Sequence, residues 1–264
     1  MSADLIFLDI DGTIVPEEGD HTIPDSTVEA IRRTREKGNL VFLNTGRVRQ
    51  NVSDRLLGVG FDGLVCGCGT NIIYQGEEIL HHTLDPKLCR QIMKVNREYG
   101  ANALYEAAGR TSVDSYFSMT GELKDIVEQF RKNGSYIHET VEDEGFYFDK
   151  FAAWYGDGFE YKAYEAYMKE WFTIIDRGPG FLEAVPVGYS KAGGIDYLCQ
   201  YLKVDRSHCY AVGDSMNDLS MLSYVPHSIC MGNGKEELKP LVEYVTTDIL
   251  EDGIWNAFLH YGLI

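Results

Sequence analysis

Positive charge is scarce in this 264-residue chain: 24 lysines and arginines stand against 41 aspartates and glutamates, a formal net charge of -17. Nucleic-acid backbones and anionic membranes are bound through basic surfaces, so neither is an expected partner. The same field repels small phosphates at long range. A phosphate site here must be made positive locally, by a metal ion, a few cations or helix N-termini. Long apolar runs are missing too, which excludes a membrane-spanning helix. Met1-Ser2-Ala3-Asp4 carries neither the basic nor the apolar part of a signal peptide, and a cytoplasmic protein is expected. The six cysteines (Cys66, Cys68, Cys89, Cys199, Cys209 and Cys230) are expected as reduced, buried thiols. Cys66 and Cys68 are one residue apart, too close for a zinc knuckle. Without a secretion signal the sequon Asn51-Val52-Ser53 carries no weight.

What is present is a core and a distinctive way of ending strands. Hydrophobic residues make up 44% of the chain. The run Leu5-Ile6-Phe7-Leu8 reads as a buried strand, and it leads straight into Asp9-Ile10-Asp11-Gly12-Thr13. Buried carboxylates need a cation or hydrogen bonds. In a parallel α/β sheet the carboxyl ends of the strands are where ligands bind. An Asp-Gly turn alone would need no function. The rest of the chain decides.

Past a polar stretch to Pro24, Asp25 to Lys37 reads as a helix with Val28 and Ile31 inward, ended by Gly38. Leu40 to Leu43 is a second strand, running into Asn44-Thr45-Gly46-Arg47. Val48 to Leu57 reads as helical, Leu64 to Cys66 as a third strand, and Gln75-Gly76 as a hairpin turn. This alternation predicts a parallel sheet with right-handed crossovers. Gly58-Val59-Gly60-Phe61-Asp62-Gly63 matches a dinucleotide fingerprint but follows a helix and precedes a strand, the wrong order for one.

From about Thr83 the pattern changes. Helices are predicted over Pro86 to Tyr99, Gly121 to Lys132 and Phe159 to Trp171. Strands are predicted over Ala101 to Glu106, Ser112 to Phe117, Lys150 to Tyr155 and Thr173 to Ile175, which together read as an α+β domain. Glu142-Asp143-Glu144 reads as a solvated loop. The aromatic residues of this region could line a substrate pocket but are more often core. The first pattern then returns: a helix from Lys191 to Leu202, a strand Cys209 to Val212 leading into Gly213-Asp214-Ser215-Met216-Asn217-Asp218, strands at Ser228 to Met231 and Tyr244 to Thr246, and a closing helix from Gly253 to Tyr261. One sheet interrupted by an insertion fits this better than two domains in tandem.

Four segments share one form, a strand end or helix start with small, polar or charged residues: Asp9/Asp11, Thr45-Gly46, Ser190-Lys191 and Gly213 to Asp218. At one mouth of a parallel sheet they would converge. Two or three carboxylates suit Mg²⁺, and a hydroxyl, backbone N–H groups and a lysine suit a phosphoryl group. The four segments together resemble the motifs of the haloacid-dehalogenase-like (HAD) phosphatases, specifically the Cof-type, type-IIB-cap group. Over the whole chain, Asp9 to Thr13 resembles the first motif, Asn44 to Arg47 the second, Lys191 the third and Gly213 to Asp218 the fourth.

The resemblance implies an α/β fold: a Rossmann-like parallel-sheet core with helices on both faces, plus an inserted α+β cap. Residues 1–82 and 185–264 would form the core and 83–184 the cap. It also implies that Asp9 is the nucleophile, forming an aspartyl-phosphate. Asp11 would protonate the leaving oxygen and then activate water, its carbonyl binding Mg²⁺. Asp214 would complete the protein ligands to Mg²⁺, with Asp218 supporting the metal. Thr45, the Gly46 N–H, Lys191 and Asn217 would hold phosphoryl oxygens. Thr13 is counted as a supporting residue, and Arg47 as one near the substrate. Relatives commonly carry Asn-Gly-Ala after the third strand, where this chain has Cys68-Gly69-Thr70. The expected activity is Mg²⁺-dependent hydrolysis of a small phosphorylated metabolite, a sugar phosphate or phosphorylated cofactor. The alternatives are a sugar phosphomutase or phosphotransferase of the same fold, and a non-catalytic phospho-metabolite sensor.

Overall fold

The computed structural model describes every residue except Met1, Ser2, Glu17, Glu18, Asp20, Thr120 and Asn133. Part of the polar stretch before Pro24 therefore lies outside the described residues. The chain begins with β1 (Leu5–Leu8), α1 (Asp25–Glu36), β2 (Leu40–Asn44), α2 (Asp54–Leu57), β3 (Gly63–Cys66), β4 (Asn71–Tyr74) and β5 (Glu77–His81). It continues with α3 (Pro86–Tyr99), β6 (Asn102–Ala107), β7 (Arg110–Val113), α4 (Gly121–Lys132), β8 (Ile137–His138), β9 (Lys150–Trp154), α5 (Tyr161–Met168), β10 (Phe172–Asp176) and β11 (Phe181–Pro186). It closes with α6 (Lys191–Leu202), β12 (Cys209–Gly213), α7 (Leu219–Tyr224), β13 (His227–Cys230), β14 (Tyr244–Val245) and α8 (Gly253–His260).

The chain divides into two compact units. One comprises Met1–Gly46, Asp54–Leu80 and Ser190–Ile264; the other comprises His81–Tyr189 and Arg47–Ser53. The first unit is built on an eight-stranded sheet in the order β14-β13-β12-β1-β2-β3-β4-β5. From β14 through β3 every pairing is parallel, and β4 then runs antiparallel to β3. Gln75 and Gly76 both have positive φ, as a tight hairpin turn between β4 and β5 requires. β1 lies near the centre, with all four residues fully buried. Its neighbours β2 and β12 run the same way. Their carboxyl ends deliver Asn44-Thr45, Asp9 and Asp214 to one edge of the sheet.

The helix α6 owes its position to glycine. A Cβ on Gly194 would overlap Val65 of β3, so only a bare backbone lets this first turn lie against the strand. Ser190 caps the helix, its hydroxyl accepting from the Gly193 N–H at 3.0 Å. Together they fix where Lys191 begins.

The second unit carries a six-stranded sheet, β10-β11-β9-β6-β7-β8, antiparallel except for the β7–β8 pair. Tyr105, Phe146, Phe148, Phe151, Tyr164 and Phe172 are buried in its core. Tyr105 and Phe148 are thus packing residues, whereas Tyr116 is 66% exposed beneath the Arg97 guanidinium.

Several elements depart from the sequence pattern. Val48 to Leu57 is not one helix but a 3₁₀ turn, Arg49–Asn51, followed by the short α2. The reason is that its polar groups are used elsewhere. The Gln50 N–H donates to the Ala108 carbonyl at 3.1 Å, and Asn51 Nδ2 donates to Glu106 Oε1 at 3.1 Å. The strand expected to reach Phe117 stops at Val113, because the Asp114 carboxylate turns the chain by accepting from the Tyr116 N–H at 3.0 Å. Glu142-Asp143-Glu144 is pinned rather than merely solvated: Glu142 pairs with Arg97 at 2.8 Å, and Asp143 pairs with the buried Arg110 at 2.6 Å. In α1 the buried positions are Thr27, Ala30, Ile31 and Thr34, with Val28 only half-buried. The helix expected over Phe159 to Trp171 is shorter, Tyr161–Met168, and neither β11 nor α7 is anticipated by the pattern.

All six cysteines are free and buried. Among the described residues no helix is long and apolar enough to cross a membrane.

The Gly194 contact makes a direct prediction. Gly194→Ala should lower stability by about 1–3 kcal/mol through overpacking against Val65, read as a lower urea midpoint at unchanged slope. A midpoint equal to wild type would show that α6 can shift outward at no cost.

Candidate active site

The site is assembled from three strand ends and one helix start. Asp9 follows β1, its N–H donating to the Val212 carbonyl at 3.1 Å, which sets it beside β12. Lys191 opens α6 and is 2% exposed despite its charge. Its Nζ reaches Asp9 Oδ1 at 2.6 Å and Asp218 Oδ1 at 2.5 Å. Asp218 is fully buried, and its Oδ2 also accepts from the Asp214 and Ser215 N–H groups at 3.0 and 3.2 Å. The Thr13 hydroxyl donates to Asp214 Oδ1 at 3.2 Å. Five of the residues singled out from sequence thus form one connected buried cluster: Asp9, Lys191, Asp218, Asp214 and Thr13.

The others are placed around it. Asp11 is half-buried two residues beyond Asp9, in a bridge with Val15. Thr45 enters through its backbone, its N–H donating to the Val65 carbonyl at 2.9 Å and its carbonyl accepting from the Cys68 N–H at 3.0 Å. Gly46 lies next to Cys68, whose sulfur would stand 3.6 Å from a Cβ there. Cys68 itself has φ +56°, a left-handed conformation that Asn adopts more readily than Cys. Asn217 accepts from the Ser215 hydroxyl at 2.5 Å, in the turn that carries Asp218. Arg47 belongs to the second unit, where its Nη1 donates to the Asn51 carbonyl at 3.4 Å.

Sequence reasoning passed over two supporting residues. Asn44 is fully buried, and its Nδ2 donates to the Lys191 carbonyl at 3.0 Å, tying the end of β2 to the start of α6. Asn233, in the loop after β13, donates to the Gly12 carbonyl at 2.7 Å. Asn44 ends an apolar strand, the signal that exposed Asp9 and Asp214, whereas Asn233 stands three residues past the end of β13.

Electrostatically the cluster is short of positive charge. Burial, reinforced by Asp218 and opposed by Lys191, pushes the Asp9 carboxyl up to about 7. Burial also works against the Lys191 ammonium, but the Asp218 and Asp9 carboxylates outweigh it and hold the lysine above its usual range. Asp9, Asp214 and Asp218 can each place an oxygen within 4.8 Å of the other two. Three buried carboxylates against one ammonium leave a deficit of two charges. An all-oxygen donor set with that deficit fits a hard divalent cation.

Lys191→Met should expose how much rests on this pairing. Breaking a buried ion pair by removing one partner costs about 3–5 kcal/mol, and here it would leave two carboxylates unpaired. In metal-free buffer the variant should unfold at markedly lower urea than wild type and bind vanadate more weakly. Unchanged stability and vanadate binding would mean that the buried ion pairs of Lys191 contribute neither to stability nor to phosphate binding.

The family model for haloacid dehalogenase-like hydrolases matches residues 6–258. YkrA of Bacillus subtilis (strain 168) is 29% identical over the full length of both chains. From the same organism, 5-amino-6-(5-phospho-D-ribitylamino)uracil phosphatase YitU is 23% identical over 97% of each chain. The solved structure of the HAD subclass IIB sugar phosphatase BT4131 matches with a TM-score of 0.84 at 25% identity, covering 99% of this chain and 100% of that one.

Proposed function

We propose that this chain, which belongs to the haloacid dehalogenase-like hydrolase family and to its phosphatases, hydrolyses phosphate monoesters of small polyhydroxylated metabolites through an aspartyl-phosphate on Asp9. The observation that carries the reading is the buried Lys191 ammonium held between Asp9 and Asp218, with Asp214 beside them. A nucleophilic carboxylate is helped by a cation that favours its ionised form without blocking it, and a lysine hydrogen-bonded to one oxygen acts in that direction, against the burial that raises Asp9.

In the first step an Asp9 oxygen attacks phosphorus and the bond to the leaving oxygen breaks. Asp11 gives its proton to that oxygen. In the second step Asp11 takes a proton from water, whose oxygen attacks the same phosphorus. Phosphate leaves and the Asp9 carboxylate is restored. Lys191, Thr45, the Gly46 N–H and Asn217 hold the phosphoryl oxygens, where charge develops. Asp9, Asp214 and the Asp11 carbonyl would hold Mg²⁺, with Asp218 fixing Asp214 through its backbone N–H. When bound, Mg²⁺ supplies charge neutralisation at the phosphoryl group.

The relatives' chemistry supports the substrate class. YitU is named for a phosphorylated ribityl chain and BT4131 for sugar phosphates, so both take the phosphate ester of a polyhydroxylated chain. We assign substrate choice to the inserted segment 83–184, acting as a cap on a core made of 1–82 and 185–264. A cytoplasmic setting is supported by six free, buried thiols.

Two experiments test this. Phosphate release from a panel of sugar, polyol and cofactor phosphates should require Mg²⁺, stop with a chelator and be abolished in Asp9→Ala. Metal-independent release, or a phosphate moved to another hydroxyl instead of freed, would contradict hydrolysis by this route. Asp11→Asn keeps the backbone carbonyl but removes the acid and the base. With an activated aryl phosphate it should give a burst of phenolate followed by slow turnover, because only the second step still needs Asp11. Wild-type steady-state rates in this variant would remove Asp11 from the mechanism.

A further inference from the structure

The loop after β13 carries a side chain to which the reaction above gives no task. Asn233 stands in Gly232-Asn233-Gly234-Lys235 and uses both ends of its amide. Its Nδ2 donates to the Gly12 carbonyl at 2.7 Å, and its Oδ1 accepts from the Ile249 N–H at 3.0 Å. The loop beneath it is held on several sides. The Met231 N–H donates to the Gly213 carbonyl at 3.0 Å, the Lys235 N–H to the Asp214 carbonyl at 2.8 Å, and the Gly232 N–H to the Thr247 carbonyl at 3.0 Å. A Cβ on Gly232 would stand 2.5 Å from the Asp248 nitrogen, and one on Gly234 would stand 2.6 Å from Cys230 Sγ and 2.9 Å from the Asp214 carbonyl oxygen. Neither flank can gain a side chain without moving the loop. Asn233 is therefore presented from a fixed base.

What it holds matters more. Gly12 directly follows Asp11, has φ +74°, and lies so close to Asp214 that a Cβ would overlap its carboxylate. The Gly12 N–H donates to the Val15 carbonyl at 2.8 Å, and Thr13 sends its hydroxyl to Asp214. The Gly12–Thr13 peptide is thus the link between Asp11 on one side and Asp214 on the other. Glycine gives that link wide torsional freedom. The Thr13 N–H holds one end of that peptide by donating to the Ile10 carbonyl at 3.3 Å, and Asn233 holds the other end through the Gly12 carbonyl.

We propose that Asn233 is a positioning residue for the reaction: by locking the Gly12–Thr13 peptide it fixes the direction of the Asp11 carboxyl, the proton donor of the first step and the base of the second. The proposal rests on the phosphatase reading above. It predicts that Asn233 acts on proton transfer and not on phosphate binding.

Two variants separate the halves of the amide. Asn233→Asp keeps the acceptor for the Ile249 N–H but turns an oxygen toward the Gly12 carbonyl. Asn233→Ala removes both bonds. With Mg²⁺ present, kcat and KM are measured on an alkyl phosphate and on an activated aryl phosphate, together with urea midpoints. Both variants should lose about 10–100-fold in kcat on the alkyl ester, the scale of loss expected from a misplaced reacting group, with KM little changed. The first-turnover phenolate burst on the aryl ester should survive in both, since that leaving group needs little protonation. A wild-type kcat in Asn233→Asp alongside a slow Asn233→Ala would assign the effect to the Ile249 loop and overturn the proposal. So would loss of the first-turnover burst on the aryl ester, or a raised KM at unchanged kcat. If the wild-type protein releases phosphate from neither ester, the phosphatase reading falls and takes this proposal with it. A normal wild type with any of the other contrary results overturns this proposal alone.

Discussion

The buried ammonium of Lys191 is the point on which the carboxylate-bearing edge of the first unit's sheet depends. Asp9 follows β1 and Asp218 lies in the turn before α7, and both are buried, so the two carboxylates share one cation to offset their charge. The lysine cannot be surrendered either, because two carboxylates hold it. Buried ion pairs are weak devices for stability but strong ones for placing groups, since removing either partner leaves an uncompensated charge. Here three elements, β1, α6 and the turn before α7, meet at one nitrogen.

That arrangement constrains the backbone around it. α6 must approach β3 closely enough for Lys191 to reach inward, which is why Gly194 faces Val65 with no room for a side chain. Asn44 anchors the Lys191 carbonyl from β2, and Ser190 caps the helix. Asp218 serves twice, accepting the lysine on one oxygen and the Asp214 and Ser215 N–H groups on the other. The negative balance of the cluster that remains is what makes it receptive to a divalent cation, in a chain whose overall charge would otherwise repel a phosphate ester.

Much of this was legible in the sequence because the strands of a parallel sheet are continuous apolar runs, and a carboxylate at the end of one is conspicuous. Asp9 after Leu5–Leu8 and Asp214 after Cys209–Gly213 announce themselves in this way. The second unit was less legible. Arg47–Ser53 belongs to it although its sequence follows directly on Thr45-Gly46, and nothing local in Asn51 says that Glu106 will claim its amide. β11 carries Glu183 at mid-strand and ends in Pro186, which masks its character, and the acidic loop at Glu142 and Asp143 conceals partners, Arg97 and Arg110, that are distant in sequence. Long-range polar pairing leaves no periodic trace, whereas apolar burial does.

The most direct test of the central claim is to locate the covalent intermediate. The protein is mixed with a phosphate ester for less than one turnover, quenched in acid, digested, and its peptides are weighed before the acyl phosphate decays. The account predicts a single phosphate increment on the peptide containing Asp9, lost on treatment with hydroxylamine. Phosphate found on any other residue, or turnover that leaves no peptide modified at any time point, would contradict it.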